Sequence, residues 1–489
     1  MNVHSRTLFM LSLLMVINAC SGNQNLAARE PESSATSTAT DAAALAPENL
    51  QVTNTVPPAL DHESTPGAST LYALDVQLHT DEKQLAVQET IRYTNLTGQT
   101  LEEIVLVIPP NRQEGQFTLD SLTLSEESEP PEILLIGEQL TVFLPDPLPP
   151  EDTLEIALEY QLFLDQTPGV LGYTDRQINF CDWYAFIPPY QNPSGWQINP
   201  YHPIGETLIY EMADFEVTIT LNPVDPGMVI AASTAGTTDG QHWVYQLLDA
   251  RTFVWSASRE YQVLSQAEYP TVSAYVLPEH VEPGWTALAA TISAMNLYST
   301  SFGAYPHESL SLVEGDFPDG MEYDGLFFVG KEYFERYAGG EKNYLTAISV
   351  HETAHQWWFA AVGNNAAQEP WLDESLSTYS ELLYYETYYP GNEAWWWSFR
   401  VEPFKPAGWV NSTVYEFSSY RPYINAVYLR GAQFLQAIRD KIGDTAFKQF
   451  LKEYYRTGKG NLVNSQFFFT QLAQHSDENL SSILEMYFR

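Results

Sequence analysis

The segment His351-Glu352-Thr353-Ala354-His355 constrains this chain more than any other. Residues four apart share one face of a helix, so the two imidazoles reach a single ion if the segment is helical. Glu352 stands beside the first imidazole, placed to act on an attacking water rather than to hold the metal. Eighteen residues separate His355 from Glu374, which opens a second helix within Pro370-Trp371-Leu372-Asp373-Glu374-Ser375. Glu374 is the candidate third ligand, and three protein ligands with an open fourth position form a catalytic rather than a structural zinc site. The fold must therefore lay two helices side by side. Glu381 follows Glu374 by seven residues, two turns on the same face, as a candidate partner for a ligand histidine. The competing reading of each acid is a solvated helix face.

At 489 residues the chain exceeds one ordinary domain of ~150 residues. From about residue 70, apolar residues alternate with polar ones. Tyr72, Leu74, Val76 and Leu78 do so, then Leu85 and Val87, then Leu154 to Leu162, then Phe215 to Leu221. Period-two runs separated by Pro and Gly clusters predict an all-β domain, a sandwich, over 69–266. Beyond 266 the period becomes helical, with helices expected over 285–302, 344–361, 372–388 and 428–442 and short strands at 269–277 and 310–313. Residues 267–489 then form a mainly α, α+β domain.

The first twenty residues read as a targeting signal. Arg6 is followed by an apolar run from Leu8 to Ile17, too short for the ~20 residues that span a bilayer. The run ends in Ala19-Cys20, which resembles a bacterial lipobox. Lipidation of Cys20 would anchor the protein to a membrane of the cell envelope, facing the periplasm or exterior. Residues 21–68, rich in Ala, Ser, Thr, Pro and Glu, read as a disordered tether. Cys181 is then the only other cysteine, so no disulfide framework is available. Sixty-two acidic residues against 22 Lys and Arg, a net charge of −40, repel nucleic acid and exclude it as a partner.

Four ordered motifs, over a span from about residue 70 to the end, resemble the gluzincin family of aminopeptidase N and leukotriene hydrolase. H-E-x-x-H with W-L-x-E eighteen residues on is the first pair. The family's G-[AG]-M-E-[NY] loop is similar to Gly320-Met321-Glu322-Tyr323, with Asp319 in place of its first glycine. Its Y-x-[KR]-G is similar to Tyr428-Leu429-Arg430-Gly431. The resemblance implies a β domain followed by a thermolysin-like domain, one zinc ion, and peptide substrates with a free amino terminus. It implies Glu352 as general base, Tyr428 as donor to the oxyanion with Tyr423 as its substitute, and Glu322 as the ligand of the substrate ammonium. Asp182, in Phe180-Cys181-Asp182, is a second candidate for that ammonium. Only 61 residues follow Tyr428, which leaves room for a more open cleft and for endopeptidase action. A surface-binding protein without turnover is the reading from a different class, opposed by the presence of Glu352 and Tyr428.

Overall fold

The alternation seen from residue 70 resolves into sheets in the computed structural model, which describes residues 70–489 apart from 126–128 and 267–268. Cys20, the signal segment and residues 21–68 lie outside the described residues. Thr70–His79 is the central strand of a seven-stranded sheet, antiparallel to Gln84–Thr94 and parallel to Ala213–Asn222. Tyr72, Leu74, Val76 and Leu78 all face inward, as period two requires. They share one core with side chains from a three-stranded sheet, such as Ile104 and Val142. Phe180 and Trp255 of a four-stranded sheet, stacked at 3.9 Å, belong to the same core.

A second, five-stranded sheet begins with Gln262–Gln266, which pairs with Thr271–Val276. Its central strand, Ser309–Gly315, is buried on both faces and runs parallel to Thr271–Val276. Parallel neighbours need a crossover, and helix α1 (Val281–Ser301) supplies it. The sheet ends in a hairpin, Gly320–Tyr323 with Leu326–Gly330, whose first strand is the sheet edge. This four-residue strand, in a stretch rich in Gly, Asp and Pro, carries no periodic signal of its own.

Helix α2 (Lys331–Glu335) leads to α3 (Tyr344–Ala354), and α4 (Trp371–Tyr388) packs beside it. The short α5 (Glu393–Trp396) runs into a π-helical segment, Trp397–Val401. Helix α6 (Tyr420–Ile424) runs into a second one, Asn425–Leu429, and then α7 (Arg430–Ile442). A small apolar cluster joins the two sheet systems: Cys181, Ala231 and Val254 from one side meet Val313, Tyr323 and Phe328 from the other. Cys181 is fully buried there, a packing residue.

Candidate active site

Helix α3 starts at Asn343, whose side chain accepts a hydrogen bond from the Thr346 amide at 2.8 Å. It ends at His355, well before the 361 expected from periodicity. The chain leaves the helix there so that the Trp358 carbonyl can return to His355 Nδ1, at 3.1 Å. That bond makes Nδ1 the protonated nitrogen and leaves the Nε2 lone pair free. His351 Nδ1 likewise donates to Glu381, at 3.0 Å. Both ligand histidines are thereby held in the tautomer that presents Nε2.

Glu374 lies in the first turn of α4, where the helix dipole favours a negative charge. Its Oε2 stands 3.3 Å from His351 Nε2 and 3.5 Å from His355 Nε2, and the two Nε2 atoms are 3.1 Å apart. Ligands ~2.0–2.1 Å from a tetrahedral zinc are separated by roughly 3.3 Å, so the three atoms match one face of that tetrahedron. Glu374 Oε2 is buried without a hydrogen-bond partner, so the donor set fits one zinc ion and lacks only the ion's charge. Burial alone would raise the Glu374 carboxyl, but His351 and His355 hold it down at about 2.

Glu381 is fully buried between α4 and the first π-helical segment. Besides His351 it accepts from Trp396 Nε1 at 3.0 Å and from both Nε and a terminal nitrogen of Arg400, at 3.0 and 3.1 Å. Burial would raise it; Arg400 and His351 keep it below the ordinary carboxylate value, ionised and rigid.

Glu352 packs against the edge strand, close to His355. A Cβ on Gly320 would overlap its carboxylate, which is why glycine stands there. Asp319 has φ of +73°, the left-handed conformation that glycine adopts most easily and that Asp tolerates. Its Oδ1 accepts from the Gly320 amide at 3.2 Å and from the Tyr333 hydroxyl at 2.9 Å, so the loop keeps its path without the glycine. Met321, half-buried beside them, packs on the cluster that joins the two sheet systems. Glu322 Oε1 lies 3.5 Å from His355 Nδ1, and ligand atoms of Glu322, Glu352 and His355 all fall within 4.8 Å of one another. Glu322 Oε1 and Glu352 Oε2 are buried without hydrogen-bond partners. Burial pushes both carboxyls up, helped by Glu374 at Glu322 and by Glu322 at Glu352.

Tyr428 enters from the second π-helical segment, its ring stacked on His351 at 5.9 Å and its hydroxyl donating to Glu374 Oε1. The segment packs close because Gly431 meets Ser375 of α4, where a Cβ would collide with the serine hydroxyl. Tyr423 stands behind Tyr428, with ring centroids 5.5 Å apart and its hydroxyl turned towards Gly205.

Residues 286–487 match the model of the peptidase family M1 domain. That part of the chain resembles an M1 domain. It is 26% identical over 216 residues to endoplasmic reticulum aminopeptidase 2 of Homo sapiens, covering 39% of this chain and 22% of that protein. It is 25% identical over 221 residues to aminopeptidase N of Lactococcus lactis subsp. lactis, covering 41% of this chain and 25% of that one. The chain thus spans about a quarter of these relatives or less. The fold is similar to a crystal structure of an M1 zinc metallopeptidase from Deinococcus radiodurans. The TM-score is 0.64 at 20% identity, covering 87% of this chain and 95% of that one.

Two residues around the site depart from expectation. Asp182 accepts from the Tyr210 hydroxyl at 2.6 Å, and the charges that act most on it are Arg112 and Glu138. It is thus engaged in the β part of the molecule rather than set among the site's carboxylates. Glu206 is the β-part acid whose carboxyl interacts electrostatically with those of the site. Burial raises its carboxyl strongly, followed by repulsion from Glu322, Glu374 and Asp373. It sits in the irregular stretch between Trp196 and Ala213, where no periodicity or motif spacing singles it out. The signal for it is spatial only.

Proposed function

We propose that the chain is a zinc aminopeptidase that removes N-terminal residues from peptides. One observation carries the reading: Glu322 holds a buried, unpartnered carboxylate oxygen beside the zinc-ligand cluster, with the Glu206 carboxyl interacting with it electrostatically. Such a group is costly to leave unpaired and is matched by a substrate ammonium, whereas a mid-chain peptide leaves it uncompensated. His351, His355 and Glu374 would hold the zinc ion, which when bound would supply a Lewis acid for the scissile carbonyl and lower the pKa of water. Glu352 takes the proton of the attacking water on its free Oε2 and passes it to the leaving amine. Tyr428 donates its hydroxyl hydrogen to the oxygen on which charge develops. The outer edge of Gly320–Tyr323 offers backbone groups on which an extended substrate can align.

An aminoacyl amide and its N-acetylated form separate this reading from an endopeptidase. The free amine is expected to be hydrolysed on the order of 100-fold faster, with both activities lost to a chelator. Equal rates on the two substrates would sink the aminopeptidase reading.

We also propose attachment to an envelope membrane through a lipidated Cys20, supported by the Ala19-Cys20 end of the apolar run. Cys20→Ala should move the protein from the membrane pellet to the soluble fraction; a variant that still pellets refutes the anchor.

A further inference from the structure

The strand that carries Glu322 is short, pairs on one side only, and ends in the turn Tyr323-Asp324-Gly325-Leu326. Pairing with Leu326–Gly330 fixes its register within the sheet. It does not by itself set the distance from Glu322 to the end of α3, where the zinc ligands sit. Gln356 spans that gap. It follows the ligand His355 directly in the chain, and its side chain is fully buried. Its Nε2 donates to the Tyr323 carbonyl at 2.8 Å, and its Oε1 accepts from the Gly325 amide at 3.0 Å. A carboxamide is the side-chain group that offers a donor and an acceptor in one fixed plane, so both bonds form together.

The turn is held from its other face as well. Asp324 Oδ2 accepts from the Arg251 and Thr252 amides at 3.1 and 3.2 Å, and the Asp324 amide donates to Thr252 Oγ1 at 3.1 Å. Gly325 lies so close to the Ser233 carbonyl that a Cβ would collide with it. The turn is thus clamped between the β part and the residue next to a zinc ligand.

We propose that Gln356 is a positioning residue that sets where Glu322 stands relative to the zinc ligands, and so governs recognition of the substrate's amino terminus. This rests on the aminopeptidase reading. The two bonds connect one residue before and one residue after Asp324 to the same side chain, so α3 and the amine-binding strand move as one body. Without them the zinc ligands keep their own supports on Glu381 and the Trp358 carbonyl, while the strand loses its tie to α3.

The test uses Gln356→Met, which keeps the length and removes both bonds, and Gln356→Asn, which is too short to make both. Each is compared with the parent protein for zinc content, Tm, and kcat and KM on a free-amine aminoacyl amide. A tie that acts on substrate binding predicts KM raised about tenfold with kcat within about threefold and zinc content unchanged. Unchanged KM, or zinc loss with kcat falling and KM constant, overturns the proposal. If neither variant folds, Thr252→Val loosens the same turn from its other face and is expected to raise KM in the same way; an unaltered KM there overturns it too. The parent protein is also run on the N-acetylated amide. Equal parent rates on both substrates bring down the aminopeptidase reading itself. A parent that prefers the free amine, with variants of unaltered KM, brings down only the role of Gln356.

Discussion

Glu352→Gln is expected to lower kcat by roughly 10²–10⁴-fold while the protein keeps its zinc. The substitution is nearly isosteric, and Glu352 is outside the converging set of His351, His355 and Glu374, so the ligand geometry has no reason to change. What disappears is the one group placed to take a proton. Glu352 Oε2 is buried, has no hydrogen-bond partner, and its carboxyl is pushed up by burial and by Glu322, which suits a group that must accept a proton and give it back. A Gln amide cannot do either. Metal analysis together with single-turnover rates checks the result. Retained turnover would remove Glu352 as the base, and lost zinc would show that it helps hold the metal.

Tyr428→Phe should reduce kcat by about 10²–10³-fold, with KM changed little, because the hydroxyl acts where charge develops rather than on the bound ground state. Burial and the neighbouring Glu374 raise the Tyr428 hydroxyl well above its ordinary pKa, so it remains a donor throughout the working pH range. In the resting protein the hydroxyl donates to Glu374 Oε1, which it would leave for the substrate oxygen. Zinc content is therefore the discriminating measurement. Loss of zinc in Tyr428→Phe would mean that the hydroxyl supports a ligand instead. Tyr423→Phe is the comparison and should lower kcat less, since the hydroxyl that bonds Glu374 belongs to Tyr428 while that of Tyr423 lies against Gly205.

The roles assigned to Glu206 and Gln356 make amine recognition a property of two structural parts at once. Glu206 comes from the β part, Glu322 from the edge of the second sheet, and Gln356 from the end of α3. The five carboxyls Glu206, Glu322, Glu352, Asp373 and Glu374 surround only two imidazoles; burial acts to raise all five, and only Glu374 is brought down, by His351 and His355. On the proposed function, two cations, the metal and the substrate ammonium, would favour the ionised forms of these carboxyls.

Local geometry made the core of the site legible in the residues themselves. His351 and His355 are one helical turn apart and Glu374 and Glu381 two turns apart, so once each helix is granted, their faces follow from 3.6 residues per turn. The inward-facing residues of Thr70–His79 follow from period two in the same way. Only the tertiary structure could separate Asp182 from Glu206. Both are single acids in irregular chain with no period to orient them, and long-range packing sends one to Tyr210 and the other to the zinc cluster. The same holds for Arg400 behind Glu381 and for Gln356 against the Asp324 turn, whose partners lie 19 and about 30 residues away. Spacing along the chain settles which residues share a helix face; which element that face meets is decided by the packing of the whole core.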